Sequence, residues 1–199
     1  MKIKELNFVQ IVEQNCTIKM TVDELKQKDS TFDESGFIAK VDNTFVMLHS
    51  AIMLGNLERV KHKLNSELIE KFEKKIEQLN KSNYRQMYDE LNVKSTTIES
   101  ILEEDEKYVI NVLLVSRYMD YIVDKNTLKF ISGINDHRIE KDNYLTFTKK
   151  KNSKSESLAR KCPGCGANIN TNSSGKCVYC GTTYDSVNYD WILEKIETR

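Results

Sequence analysis

Apolar residues recur along the first half of the chain at helical spacing. Ile3, Leu6, Val9 and Val12 fall three apart, with Lys2, Lys4, Glu5 and Glu13 between them, which predicts an amphipathic N-terminal helix. Thr21-x-x-Glu24 and Thr31-x-x-Glu34 each set a hydroxyl three residues before a carboxylate and predict helices opening near residues 22 and 32. Phe37, Val41, Phe45, Leu48 and Ile52 then step by three or four residues, a core-facing stripe on a helix that Gly55-Asn56 ends. Asn56 is placed to cap a helix over 57–64, and Asn65 or Ser66 caps the next. That helix has Leu68, Phe72, Ile76 and Leu79 on one side. Its other side, with Glu67, Glu70, Lys71, Glu73, Lys74, Lys75 and Glu77, reads as solvated.

The period changes farther on. Residues 84–91 read as a further short helix, and 93–102 are rich in β-branched side chains. Glu103-Glu104-Asp105-Glu106 reads as an acidic turn, since adjacent carboxylates at a hairpin tip seldom converge on one cation. Residues 108–123 predict an unusually long strand. Val112 and Leu114 share one face and Leu113 and Val115 the other, so neither face is expected to meet water there. Helices cover only one of them. Residues 3–12, the cysteine-rich segment or a second copy of the chain is expected to cover Leu113 and Val115. A turn at 124–126, a strand at 128–132, a turn at 133–136 and a final strand at 138–148 complete the body. Helices followed by an antiparallel sheet predict an α+β domain, its long strand bent around the helices as a cone.

Composition and charge narrow the class. Of 199 residues, 39% are apolar, enough to build a core. The 30 Lys+Arg balance 30 Asp+Glu, which argues against a surface that grips nucleic acid or anionic membrane as a whole. Glycine (7) and proline (1) are too sparse for collagen-like or Pro-rich disordered chains. The longest apolar runs, such as 112–115, are four residues, so no bilayer-spanning segment is expected. The first residues lack the apolar run of a secretory signal, and a reducing, cytoplasmic setting is the expectation.

Cysteine carries the sharpest chemistry. Four of the five fall as Cys162-x-x-Cys165 and Cys177-x-x-Cys180, with eleven residues between the pairs. That is the ligand spacing of a tetrathiolate zinc site, in which a tight turn aims two sulfurs at one ion from about 2.3 Å. Four thiolates leave no open position on the metal, so one structural zinc is expected. Disulfides would need an oxidising compartment. Cys16 has no partner in the sequence and reads as a small apolar residue or a partly exposed thiol. Residues 149–161, with six bases against one acid, read as a solvated linker. Residues 189–196 read as a short helix that packs Trp191, Leu193 and Ile196 onto the metal knuckles. The expected organisation is an N-terminal helical extension (1–30), a body (31–148), the linker (149–161) and a zinc ribbon with a C-terminal helix (162–199).

The body resembles the bacterial Tim-forty-four-like domain family. The residues that carry the likeness are Phe37-Ile-Ala-Lys-Val41-Asp-Asn-Thr-Phe45-Val46, Leu57-Glu-Arg-Val60, Glu67-Leu-Ile-Glu-Lys-Phe72, Met119-Asp120-Tyr121-Ile122-Val123-Asp124 and Tyr144-Leu-Thr146-Phe147. Some relatives also carry a zinc ribbon followed by a Tyr-Asp-Trp segment, matched here by Tyr189-Asp190-Trp191. The resemblance implies a nuclear-transport-factor-two-like cone and a role in docking translocation-type assemblies. Leu145 stands where relatives commonly have Trp, so the rim of any pocket is expected to differ.

Candidate site residues follow. A groove between helix and sheet, lined by Phe45, Ile52, Leu114 and Tyr118, suits a peptide or acyl chain, and Asp120 is the carboxylate most open to burial. His49 lies off the apolar stripe and reads as a boundary residue, His62 as a surface one, and His137 as a solvated partner of Asp136. No Ser/His/Asp set, phosphate loop or nucleotide motif appears in the sequence. A non-catalytic adaptor that docks a protein is therefore the leading expectation, with peripheral membrane contact through residues 1–20 and self-association through the outer sheet face as further contacts. The alternatives are an enzyme or a small-molecule or lipid binder using the cone, and a nucleic-acid-binding ribbon. The last is disfavoured, because Lys176 is the only base between the cysteine pairs and no aromatic accompanies it.

Overall fold

A computed structural model describes residues 17–151, 177–179 and 190–199. Its elements are β1 (Ile18–Met20), α1 (Val22–Lys28), α2 (Glu34–Leu54), a 3-10 turn (Lys61–Lys63), α3 (Ser66–Lys81), β2 (Tyr84–Glu103), β3 (Lys107–Asp124), β4 (Phe130–Lys150) and β5 (Ile192–Thr198). The described strands form one antiparallel sheet in chain order. The class is α+β, as the pattern predicts.

Capping explains where the helices begin and end. Thr21 and Glu24 form a reciprocal capping box at α1. Asp33, not Thr31, caps α2: its carboxylate accepts the Gly36 N–H at 2.6 Å, while the Thr31 hydroxyl donates to Asp29 at 2.5 Å. Gly55 closes α2 at φ +68, and Asn65 caps α3 by accepting the Leu68 N–H at 2.9 Å. The stripe Phe37, Val41, Phe45, Leu48 and Ile52 is buried along α2. By length and composition α2 could also cross a membrane, contrary to the short-run expectation; this buried stripe makes it the core helix of the fold.

The sheet supplies the opposing wall. Met20, Ile101, Ile110, Phe147 and Leu193 stand in cross-strand register over all five strands, and each is buried. Val112, Leu145 and Ile196 form the next row, so Leu145 is a core residue and not part of a rim. The second face of β3 is partly covered. Val109 is buried, while Leu113 and Val115 are partly buried, flanked across the strands by Thr97 and Tyr144 and by Ser95 and Asp142.

Four expectations of local structure are corrected. Residues 84–91 open β2; Gln86 and Tyr88 are buried on alternate positions and pair with β3, so strand pairing overrides helical propensity. Residues 57–64 hold only the 3-10 turn. Residues 133–136 lie within an unbroken β4, where an irregularity in the register takes the place of the turn. Residues 192–198 are the strand β5 on the edge of β4, not a helix on a ribbon.

That strand redraws the expected boundaries. Trp191 packs edge-on against Phe32 and Phe37 (5.9 and 5.2 Å between ring centroids), and Phe37 in turn meets Phe147 at 5.6 Å. The Asn65 N–H donates to the Leu193 carbonyl at 3.1 Å, tying β5 to the start of α3. At the other boundaries β1 joins the sheet, and β4 runs to Lys150. The expected helix over 3–12, Cys16 and most of the linker lie outside the described residues.

Candidate functional site

Where α2, α3 and the sheet meet, a cleft of about 510 Å³ opens. Leu48, His49 and Ile52 reach it from α2, and Lys71, Phe72 and Lys75 from α3. Tyr88, Tyr118, Asp120, Lys141 and Ile196 reach it from the strands. Of the expected pocket residues, Ile52, Tyr118 and Asp120 line this cleft. Phe45 and Leu114 are fully buried in the core and do not.

His49 is buried, correcting the boundary reading. Its ring lies 4.1 Å from Phe45, 4.6 Å from Tyr88 and 5.6 Å from Tyr118. The Nδ1 atom donates to the Phe45 carbonyl at 2.9 Å, one helical turn back. Burial pulls the imidazole down to about 4, so it is neutral at physiological pH. The same burial, with the Asp120 charge, pushes both the Tyr88 and Tyr118 hydroxyls well above their ordinary range.

Asp120 is partly buried, and both of its carboxylate oxygens are engaged. Lys141 donates to Oδ2 at 2.6 Å and Gln86 to Oδ1 at 2.8 Å. Lys141 also lies over the Tyr118 ring, 5.4 Å from its centroid. With His49 bonded to Phe45 and Asp120 to Lys141 and Gln86, the two do not form a proton relay.

Lys75 is different. Its ammonium donates to the Tyr88 hydroxyl oxygen at 3.0 Å and lies 5.7 Å from that ring's centroid. Among the described residues no carboxylate comes within ion-pair distance of it. Burial pulls its pKa down, partly offset by the more distant Asp120 charge.

A larger surface groove of about 570 Å³ runs between Gly55 and Lys81. Its charges are already matched: Lys61 with Glu58 at 2.9 Å and Glu73 at 2.7 Å, and Lys81 with Glu77 at 2.7 Å. In the acidic turn Glu103 meets Lys28 and Lys151, and Glu104 meets Lys107. His137 pairs with Asp136 at 2.7 Å in solvent, as read, whereas His62 is partly buried and its pKa is lowered by that burial.

Cys162, Cys165 and Cys180 lie outside the described residues, and Cys177 is buried. Among the described residues no three His, Cys, Asp or Glu side chains gather as a metal site. The sequence pattern missed Lys71, Lys75, Tyr88, Gln86 and Lys141 as site residues. The available signal was on α3, where Lys71 and Lys75 flank the buried Phe72 on the side facing the sheet.

No curated protein matches the chain. Residues 18–157, from β1 past the end of β4, match the family model of the Tim44-like domain. That is well over half of the sequence, and it spans the helices and four of the strands just described; the chain belongs to the Tim44-like domain family.

Proposed function

We propose that this chain is a non-catalytic, zinc-containing adaptor that docks a protein partner, in the cytoplasm and peripheral to a membrane-associated assembly of the translocation type. In this reading the curved sheet holding α2 and α3 is the cone that the family resemblance implies. The observation that carries the docking role is the apolar end of the molecule. Leu54, at the end of α2, is 71% exposed, and Leu128 (61%), Phe130 and Ile131 are exposed just after the β3–β4 turn. Leu54 and Lys125 of that turn line one small cleft, which places the two segments at the same end. Large apolar side chains held in water forfeit burial that a partner would restore. The four cysteines 162, 165, 177 and 180 would bind one structural zinc.

The test is affinity purification of the intact protein beside a Leu128→Ser/Phe130→Ser variant that melts at the same temperature. A defined protein recovered by the natural chain and lost by the variant supports the reading. Equal recovery sinks it, as does turnover of a small molecule that Asp120→Asn abolishes; that second outcome favours the enzyme alternative. Elemental analysis of protein purified without chelator tests the metal: about one zinc per chain is expected, lost in Cys162→Ser and Cys180→Ser, and a zinc-free natural chain refutes it.

A further inference from the structure

We propose that the cleft between α3 and the sheet binds a small carboxylate carrying an apolar body, with the Lys75 ammonium and the Tyr88 hydroxyl as its anion contacts. This inference stands apart from the docking surface, which lies on other residues. Its basis is an unbalanced set of donors. Lys75 spends one N–H on the Tyr88 oxygen at 3.0 Å and has no carboxylate within ion-pair distance among the described residues. Because the Tyr88 oxygen accepts that bond, its own O–H is left to donate outward. Lys71 stands one turn away on the same helix and adds a second positive charge at the rim.

The neighbouring charges select the kind of anion. Lys141 is committed to Asp120 at 2.6 Å, so the cleft contains an anchored carboxylate as well as its spare cation. Lys71, Glu197 and Arg199 are exposed at the rim, so Lys75 is the one part-buried cation of the cleft without a carboxylate partner among the described residues, and a single such ammonium matches a monoanion better than a dianionic phosphate. A monoanion needs one ammonium and one hydroxyl, which is what the cleft offers. Leu48, Ile52, Phe72 and Ile196 supply its apolar wall, Glu197, Thr198 and Arg199 complete the lining, and a cavity of about 510 Å³ lies in the size range of small-molecule sites. The partly buried ammonium loses hydration in the free protein, and a bound carboxylate would replace it.

The experiment titrates the full chain with sodium hexanoate, its neutral isostere hexanamide and inorganic phosphate, read by calorimetry and by amide chemical shifts. Hexanoate is expected to shift the signals of Tyr88 and Lys75, and to bind about tenfold more tightly than hexanamide, the worth of one hydrogen bond to a charged group. Lys75→Met is expected to erase that preference, and Tyr88→Phe to reduce it should Lys75→Met fail to fold. Lys129→Met, on the far turn, should leave it unchanged. Equal binding of hexanamide, tighter binding of phosphate, retention of the preference in a folded Lys75→Met, or no shift at Tyr88 with millimolar hexanoate overturns the proposal.

Discussion

Lys149, the penultimate residue of β4, donates to the carboxylate of Asp29, which closes α1, across 2.6 Å, and each side chain is about nine-tenths buried. The Lys149 ammonium also reaches the Thr31 hydroxyl at 3.0 Å. A residue that reads in the sequence as the first of a solvated linker is thus a clasp between the sheet and the helical end of the fold. Burial pushes the Asp29 carboxyl up, but the hydrogen bonds from Lys149 and Thr31 outweigh it and hold the group below the usual aspartate range.

The sign of its pH effect follows. A carboxylate whose folded pKa is depressed contributes stability that is fully present above its unfolded value near 4 and lost as pH falls through the lower folded value. Asp29→Asn is expected to cost about 1–3 kcal/mol at pH 7, the range for hydrogen bonds to charged groups. The gap between variant and natural chain should close on acidification below about pH 4. Urea denaturation at a series of pH values checks both.

His49 should act in the same direction at higher pH. Its imidazole titrates near 4 in the folded chain and near 6.5 when unfolded. The unfolded chain therefore takes up a proton first, and stability should fall as pH drops from about 6.5 toward 4, by up to about 1.4 kcal/mol per pH unit. A titration of the His49 ring by nuclear magnetic resonance that centred near 6.5 would contradict its burial between Phe45 and Tyr88.

Trp191 tests the fifth strand. Its ring packs against both Phe32 and Phe37, which also touch each other, and lies far in sequence from both. Trp191→Ala is expected to destabilise the whole domain by about 3–5 kcal/mol, the usual cost of emptying a buried large aromatic site. If 162–199 were a separate unit, the main unfolding transition would not move. Calorimetric melting distinguishes the two.

Gly133 pairs with Tyr121 between the two irregularities in the β3–β4 register. At φ +104, a Cβ there would lie 2.4 Å from the Asp120 carbonyl oxygen and 2.5 Å from the Tyr121 Cα. Both are backbone atoms of the paired strand and cannot swing aside. Gly133→Ala is expected to cost about 2–4 kcal/mol and to disturb the Asp120–Lys141 pair across the cleft. Thermal melting and the amide shifts of Asp120 are the readouts.

Much of the helical layer was legible in the chain. The Thr21 capping box, the α2 stripe and its Gly55 stop, and the apolar side of α3 all depend on residues three or four apart, where a helix brings neighbours into contact whatever surrounds it. The length of β3 was legible for a similar reason, because its β-branched and aromatic run favours extended backbone. The cysteine spacing sets out a metal-ligand pattern without any reference to the fold.

What the tertiary structure decided are pairings between distant segments. The short apolar run around Ile192 and Leu193 satisfies a helix or a strand equally well, and the open edge of β4 settled it by taking the run's backbone hydrogen bonds. Gly133 reads as a turn until Tyr121 is placed opposite it. Lys75 reads as one more surface cation until α3 sets it against Tyr88, which arrives thirteen residues later from the sheet. Periodicity records how each segment divides its apolar and polar sides. Which polar side chain is left facing a cleft depends on what the rest of the chain packs against it.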